Sequence, residues 1–426
     1  FVTWRRPTQF FKDAAATTGG EALPFDVFVG DVGPHDILQG TLADCWFLCA
    51  LAALAETPEH VFKIFVPPEL DGAATGRPAI AAAGAGTSLS TDITVHANSE
   101  GVYCMRFCKN GQWVTVRVDD FFPCAPCGGP VYAKGNSTEL WVLLLEKAYA
   151  KLHGSYHSLR FGFTHEALLD LTGCPTRVFR LDGQLEADLV QSGQLWDMLQ
   201  RFDTLGFLIT ADTPGSDVWT EGGGEPAGGP GLVKGHAYTV LKCVSLSTGQ
   251  RLFHIRNPWG SFEWNGDWSD ESPLWTPALA SEVGLVKDST DGAFWMSYED
   301  FLKYFVRVVV CRLTASDGDT WNEARLKGSF TRRPTAYGIP TIATSMYKLT
   351  CPKDGELILG LHQTDVRCPG AQPYIDAGLT LMQVVGPGAY RMVAATGVEV
   401  DRQVQLEVDV KAGEYVVVPR STGCKL

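Results

Sequence analysis

The sequence predicts an α+β protein in three consecutive parts: a helical segment over about 1–173, a strand-rich segment over about 174–318 and a β-sandwich over about 319–426. Three observations carry that expectation. At 426 residues the chain is too long for one hydrophobic core. The runs with helical spacing, "CWFLCALAALA" and "LWVLLLEKAYAKL", both fall before Gly173. After it come the strand-like runs "GFLIT", "HAYTVLKCVSL", "RLFHIRN" and "FVRVVVCRL", then "GELILGL", "LTLMQVV" and "GEYVVVP" between Gly and Pro turns.

The first element to weigh is "QGTLADCWFLCALAALAE", Gln39–Glu56. Nearly every residue from Cys45 to Ala55 is apolar, which predicts a helix buried on all sides. Asp44 is the expected N-cap, so Cys45 falls in the first turn, where free backbone N–H groups and the helix dipole favour an anion. Thiols so placed ionise more readily, and the thiolate is the nucleophile. The plainer reading is a packed core cysteine, as for Cys49.

Next, the Gly/Ala/Ser-rich insert Gly72–Asp92 reads as a mobile surface loop. "VYCMRF" and "QWVTVRV" alternate at period two around "KNG", a hairpin signal. Cys104, Cys108, Cys124 and Cys127 raise the question of a four-thiolate zinc site. On a strand, however, Cys104 and Cys108 lie about 13 Å apart, from a rise of about 3.3 Å per residue. "PCAPCGG" then reads as a turn. In "STELWVLLLEKAYAKLHG", Ser137 is the expected N-cap and Gly154 the terminator of a helix.

Composition excludes several functions. A net charge of −13 argues against nucleic acid or anionic lipid as the main partner. No apolar run approaches the roughly 20 residues needed to span a bilayer. Twelve scattered cysteines, several inside apolar runs, read as reduced thiols of an intracellular, cytoplasmic protein. The chain opens "FVTWRR" without Met, as a piece of something longer does.

A cysteine nucleophile needs a base and a group to orient that base. Of nine His, His60, His96 and His165 sit in ordinary polar surroundings. His236 differs, because it follows the flexible "GGPGLVKG" and starts an apolar strand. The turn "STGQ" sends the chain back along "RLFHIRNPWG", and an antiparallel hairpin brings Asn257 within a few positions of His236. Pro258 keeps Asn257 extended, and Trp259 shields the His–Asn hydrogen bond from water.

These residues carry a resemblance. "WRRPTQ", "DILQGTLADCWFLCALAALAE", "VDDFFP", "LWVLLLEKAYAKLHGSY", "GLVKGHAYTVLKC", "IRNPWGSFEWNGDWSD" and "DGAFWMSYEDFLKYF" occur in the order seen in calpains. Residues 1 to about 318 resemble the papain-like, two-lobed calpain cysteine protease core. The tail resembles the calpain-type β-sandwich through "WNEARLKGSF" and "VDVKAGEYVVVPRSTG". The resemblance implies Cys45 as nucleophile, His236 as general base and then acid, and Asn257 as its orienter. It further implies Gln39 as an oxyanion-hole donor, Trp259 as a gate over the cleft, and a triad assembled when two lobes close.

Calcium is the cofactor the resemblance implies, on hard oxygen ligands in each lobe. Asp36 matches one carboxylate ligand, with backbone carbonyls near Val29–Asp31. "SYHSL" puts His157 where many members have Glu, and a neutral imidazole is a poor ligand for calcium. In the second lobe Glu263, Asp270 and Asp291 are present, while Ala293 replaces a Glu. The expectation is a weakened calcium dependence. No complete EF-hand loop occurs in this chain, and with it goes the usual basis for a small-subunit partner.

The leading expectation is therefore a cysteine endopeptidase making limited cuts in protein substrates through an acyl-thioester. A catalytically silent scaffold whose lobes do not align is the alternative, and a transglutaminase-like acyltransferase is disfavoured by Asn257 in place of Asp.

Overall fold

The computed structural model describes residues 2–19, 21, 24–67, 95–126, 128–184, 186–222, 229–288, 291–332, 341–343 and 345–422. The Gly72–Asp92 insert, Cys127 and residues 223–228 of the Gly-rich loop lie outside the described residues. The chain divides into two compact units. One takes in the chain up to Phe107 and Val114–Leu313; the other takes in Cys108–Trp113 and the chain from Thr314 onward.

In the first unit the helix Cys45–Ala55 has all eleven residues buried, as its unbroken apolar sequence requires. Beside it packs the helix Trp141–Leu152, with Phe47 stacked on Tyr149 at a ring separation of 4.2 Å. Behind the cysteine helix runs a six-stranded antiparallel sheet. Its spatial order is Ala293–Ser297, Arg251–Arg256, Ala237–Ser245, Leu208–Asp212, Arg307–Cys311, Thr176–Arg180. Two large apolar cores result, with a smaller one of Leu246, Leu252, Trp268 and Trp295 beside them. One surrounds the cysteine helix; the other lies under the sheet, where Trp196, Phe253, Tyr298 and Phe301 meet.

Two expected caps fail for a physical reason. Asp44 precedes the cysteine helix, but its side chain caps nothing. Only its backbone carbonyl accepts from Phe47 and Leu48, while the carboxyl is buried beside Glu146. Ser137 does not start the second helix, which begins at Trp141 after Leu140. There the N–H groups of Leu140 and Trp141 donate to the carbonyls of Asp26 and Val27, so a passing irregular segment does the work of a cap. Gly154 follows that helix at φ +96°, which suits a terminating glycine.

Strands Val102–Lys109 and Gln112–Asp119 form the hairpin read from "KNG", with Asn110 and Gly111 both at positive φ. The second unit is β-rich. A seven-stranded sheet is built around Asp376–Gly386 and Gly413–Ser421, and a two-stranded ribbon pairs Gly355–His362 with Gln403–Val410. Leu379, Leu381, Leu406 and Tyr415 share one apolar cluster drawn from both sheets. Within this unit Lys109 Nζ lies 2.6 Å from Asp365 Oδ2, a fully buried pair, and Arg367 and Arg402 approach the same oxygen at 3.4 and 3.5 Å.

Candidate active site

Cys45 is the first residue of its helix, so its backbone N–H has no intrahelical acceptor. The helix end is held by its surroundings. Trp46 Nε1 donates to Leu159 O at 2.7 Å, and Phe161 N donates to Ala43 O at 2.9 Å. The opposite wall is the strand Ala237–Ser245, and Thr239 Oγ1 donates to Cys49 O at 3.0 Å. Because His236 immediately precedes that strand, helix and sheet together bring it to Cys45. The Cys45 Sγ and a ring nitrogen of His236 lie within 4.8 Å of each other.

His236 is buried and tied at both nitrogens. Nε2 faces Asn257 Oδ1 at 3.0 Å, and Asn257 Nδ2 in turn donates to the carbonyls of Ser261 and Phe262, both at 3.0 Å. The hairpin read from the sequence supplies this contact, with Thr239 opposite Arg256 in register. Those amide bonds orient Oδ1 toward the ring, so Nε2 carries the hydrogen and Nδ1 faces the thiol. Trp259 stands 5.3 Å from the imidazole, ring to ring, and its Nε1 donates to Thr220 Oγ1 at 3.0 Å.

One neighbour of His236 escaped the sequence reading. Asp217 Oδ2 lies 3.3 Å from His236 Nδ1, on the thiol side of the ring. Its other oxygen accepts from the backbone N–H of Trp219 and Thr220, at 2.9 and 3.0 Å, and the Thr220 hydroxyl donates to Oδ2. The signal was the "SDVWT" stretch, where an Asp followed three residues later by Thr marks a local Asp-centred turn. Burial alone lowers the His236 pKa, but the neighbouring Cys45 and Asp217 outweigh it and push the value up to about 10. Burial raises Asp217, yet its bonds to His236 and Thr220 bring it down to about 2. Each shift favours the charged form of its group.

Gln39 reaches the site through backbone pairing. Its N–H donates to Pro258 O at 2.9 Å, next to Asn257, and its Nε2 donates to Leu42 O at 2.7 Å. That uses one of the two amide hydrogens and leaves the other for a ligand. Gly40 is required beside it, because a Cβ there would meet the carbonyl oxygens of Val131 and Tyr132 at 2.3 and 2.2 Å. Arg256 clamps the same seam, with Nη2 donating to Ile37 O at 2.9 Å and Nε to Asp291 O at 3.1 Å.

The acidic residues form two groups away from the thiol. Asp36 is buried beside Glu139, and Glu139 is pushed up to about 8 by burial and by the Asp36 charge. Glu139 is therefore the carboxyl partner of Asp36, and the sequence reading did not single it out. Glu263 is pushed up to about 7 by burial and by Asp270, with Asp291 and Asp288 adding to the repulsion. Asp270 Oδ1 is buried with no hydrogen-bond partner. Crowded carboxylates of this kind fit a hard divalent cation, which would relieve their repulsion.

Comparison with known proteins supplies the relationship. Residues 1–312 match the family described as calpain family cysteine protease. The calpain-type cysteine protease DEK1 of Arabidopsis thaliana is 40% identical over 314 residues, covering 73% of this chain and 13% of that protein. Calpain-5 of Mus musculus is 30% identical over 462 residues, covering 98% of this chain and 66% of that protein. The calpain-2 catalytic subunit of the same organism is 30% identical over 346 residues, covering 79% and 43%. The chain thus spans about an eighth of the plant relative and two thirds or less of the two animal ones. Among the described residues no helix is long and apolar enough to cross a membrane.

Proposed function

The chain belongs to the calpain family of cysteine proteases, and from that premise we propose that it is a cysteine endopeptidase making limited cuts in protein substrates. The observation that carries this reading is the line Cys45 Sγ, His236 Nδ1, His236 Nε2, Asn257 Oδ1. The thiolate at the helix N-terminus attacks the scissile carbonyl carbon, and the carbonyl electrons move to oxygen. That oxyanion is met by the Cys45 backbone N–H and by the second amide hydrogen of Gln39. Collapse expels the amine, which takes the proton from His236 Nδ1 and leaves an acyl-thioester on Cys45. His236 then accepts a proton from water as the water attacks the thioester carbon. Collapse of that adduct breaks the C–S bond, releases the carboxylic acid product and returns the sulfur to Cys45 with the proton on His236 shared between them.

Asn257 holds the imidazole edge through both proton transfers, and Trp259 excludes water from one face. Asp36 with Glu139, and Glu263 with Asp270 and Asp291, would hold calcium, which would neutralise carboxylates flanking the seam that Arg256 clamps. The compartment we propose is intracellular, from the cysteine content.

The test is labelling of Cys45 by an irreversible epoxide or iodoacetamide probe, with calcium and with chelator, beside peptide hydrolysis. Labelling that requires calcium supports a cation-controlled peptidase, and labelling in chelator supports constitutive activity. Cys45→Ala should abolish hydrolysis while the thermal unfolding curve is kept. Hydrolysis by Cys45→Ala at a substantial fraction of the unaltered rate would sink the assignment.

A further inference from the structure

We propose that Cys45, His236 and Asp217 form an inhibitory site for a zinc ion, and that Asp217 is the residue that completes it. The donor atoms of these three side chains all lie within 4.8 Å of one another. They are a thiolate sulfur, an imidazole nitrogen and a carboxylate oxygen, the set of ligand types that zinc takes in four-coordinate sites. With metal–ligand bonds of about 2.0 Å and tetrahedral angles, nitrogen and oxygen ligands stand about 3.3 Å apart. His236 Nδ1 and Asp217 Oδ2 are already at 3.3 Å. The Cys45 sulfur lies within 4.8 Å of both atoms.

The surroundings are built as a metal site's second layer of contacts is built. A ligating imidazole typically donates its other N–H to an oxygen, which fixes the tautomer. Here Nε2 faces Asn257 Oδ1 at 3.0 Å, which presents Nδ1 toward the sulfur and the carboxylate. A ligating carboxylate is likewise held by donors, and Asp217 accepts from the backbone N–H of Trp219 and Thr220 and from the Thr220 hydroxyl. The Asp217 side chain is 1% exposed and that of His236 is fully buried. Water takes the fourth position. The sulfur and His236 Nδ1 bind the metal in their deprotonated forms, and the protons they carry pass to solvent.

The inference deepens the peptidase reading, because the metal would occlude the thiol that reading calls the nucleophile. Catalysis needs Cys45, His236 and Asn257 but has no step for a carboxylate on the thiol side of the ring, whereas a metal site does.

The test reads binding without turnover. Cobalt(II), as a spectroscopic stand-in for zinc, is titrated into the intact chain, and the thiolate-to-cobalt charge-transfer absorption is followed. One equivalent should develop the band, zinc should displace it, and Cys45→Ser should remove it. Asp217→Asn keeps the local turn and should weaken cobalt binding about tenfold or more; Thr220→Val should weaken it about tenfold, the usual loss when a ligand's support is removed. Zinc should also slow alkylation of Cys45 by iodoacetamide, with Asp217→Asn needing about tenfold more zinc for equal protection. A band that persists in Cys45→Ser, or an affinity unchanged in both Asp217→Asn and Thr220→Val with normal unfolding curves, overturns the proposal. Peptide cleavage with no such band defeats this inference alone. A band in a protein that cleaves nothing defeats the peptidase reading and leaves the metal site standing.

Discussion

The Asp217 carboxylate stands 3.3 Å from His236 Nδ1, the nitrogen that must also serve Cys45. The Asp217 carboxylate and the Cys45 sulfur therefore neighbour the same imidazole, and both favour its charged form. The Asp217–His236 contact is buried, so solvent screens it little.

Removing that charge should change the pH profile of hydrolysis. The titratable groups about the ring are Cys45, Asp217, Tyr238 and the more distant Asp212, which is itself paired with Arg307. The His236 value, raised to about 10, falls when Asp217 no longer supports the charged form. In Asp217→Asn the alkaline limb of kcat/KM should move to lower pH, because the imidazolium is lost earlier. An alkaline limb left in place would show that Asp217 does not act on the ring.

Gln39→Ala should lower kcat by about 10²–10³ with a smaller change in KM, as expected for a donor that acts on the oxyanion. Steady-state kinetics on a peptide substrate measures this split. A change confined to KM would assign Gln39 to substrate binding instead.

Gly40→Ala should damage the site without touching its chemistry. The added Cβ meets the Val131 and Tyr132 carbonyls at 2.3 and 2.2 Å, and neither can yield as a flexible side chain would. The loop carrying Gln39 must shift, so activity should drop at least tenfold, as small displacements near reacting groups do. Circular dichroism separates this from global unfolding.

Asp44 and Glu146 give a stability test. Burial raises both carboxyls, Asp44 to about 7, above the unfolded value near 3.9. A folded pKa above the unfolded one means that the neutral carboxyl contributes stability below the unfolded value. That contribution is lost as pH rises through about 7. Asp44→Asn should therefore show a smaller fall in Tm than the unaltered protein between acidic and mildly alkaline buffer, measured by calorimetry.

In the second unit, Asp365→Ala leaves Lys109 buried without its carboxylate. Breaking a buried pair by removing one partner costs about 3–5 kcal/mol. Chemical denaturation should show that loss, and an effect well below 1 kcal/mol would mean that water or another acid replaces Asp365.

Much of this molecule is legible in order along the chain. The run Cys45–Ala55 announces a buried helix because no polar face interrupts it. "KNG" announces its hairpin because two adjacent positive φ angles suit Asn and Gly. The strands about "STGQ" announce that His236 and Asn257 meet, since a hairpin's register follows from its turn. By itself, then, the sequence determined the cysteine helix, the His–Asn hairpin and the family to which both belong.

Tertiary structure alone decided what surrounds them. Asp217 reaches His236 from a loop outside that hairpin, Glu139 reaches Asp36 across a hundred residues, and Asp44 abandons its cap to lie buried against Glu146. Periodicity and turn chemistry act over a few residues, so they report local conformation. Which charges come to share a buried volume depends on the packing of distant segments, and no local pattern records it.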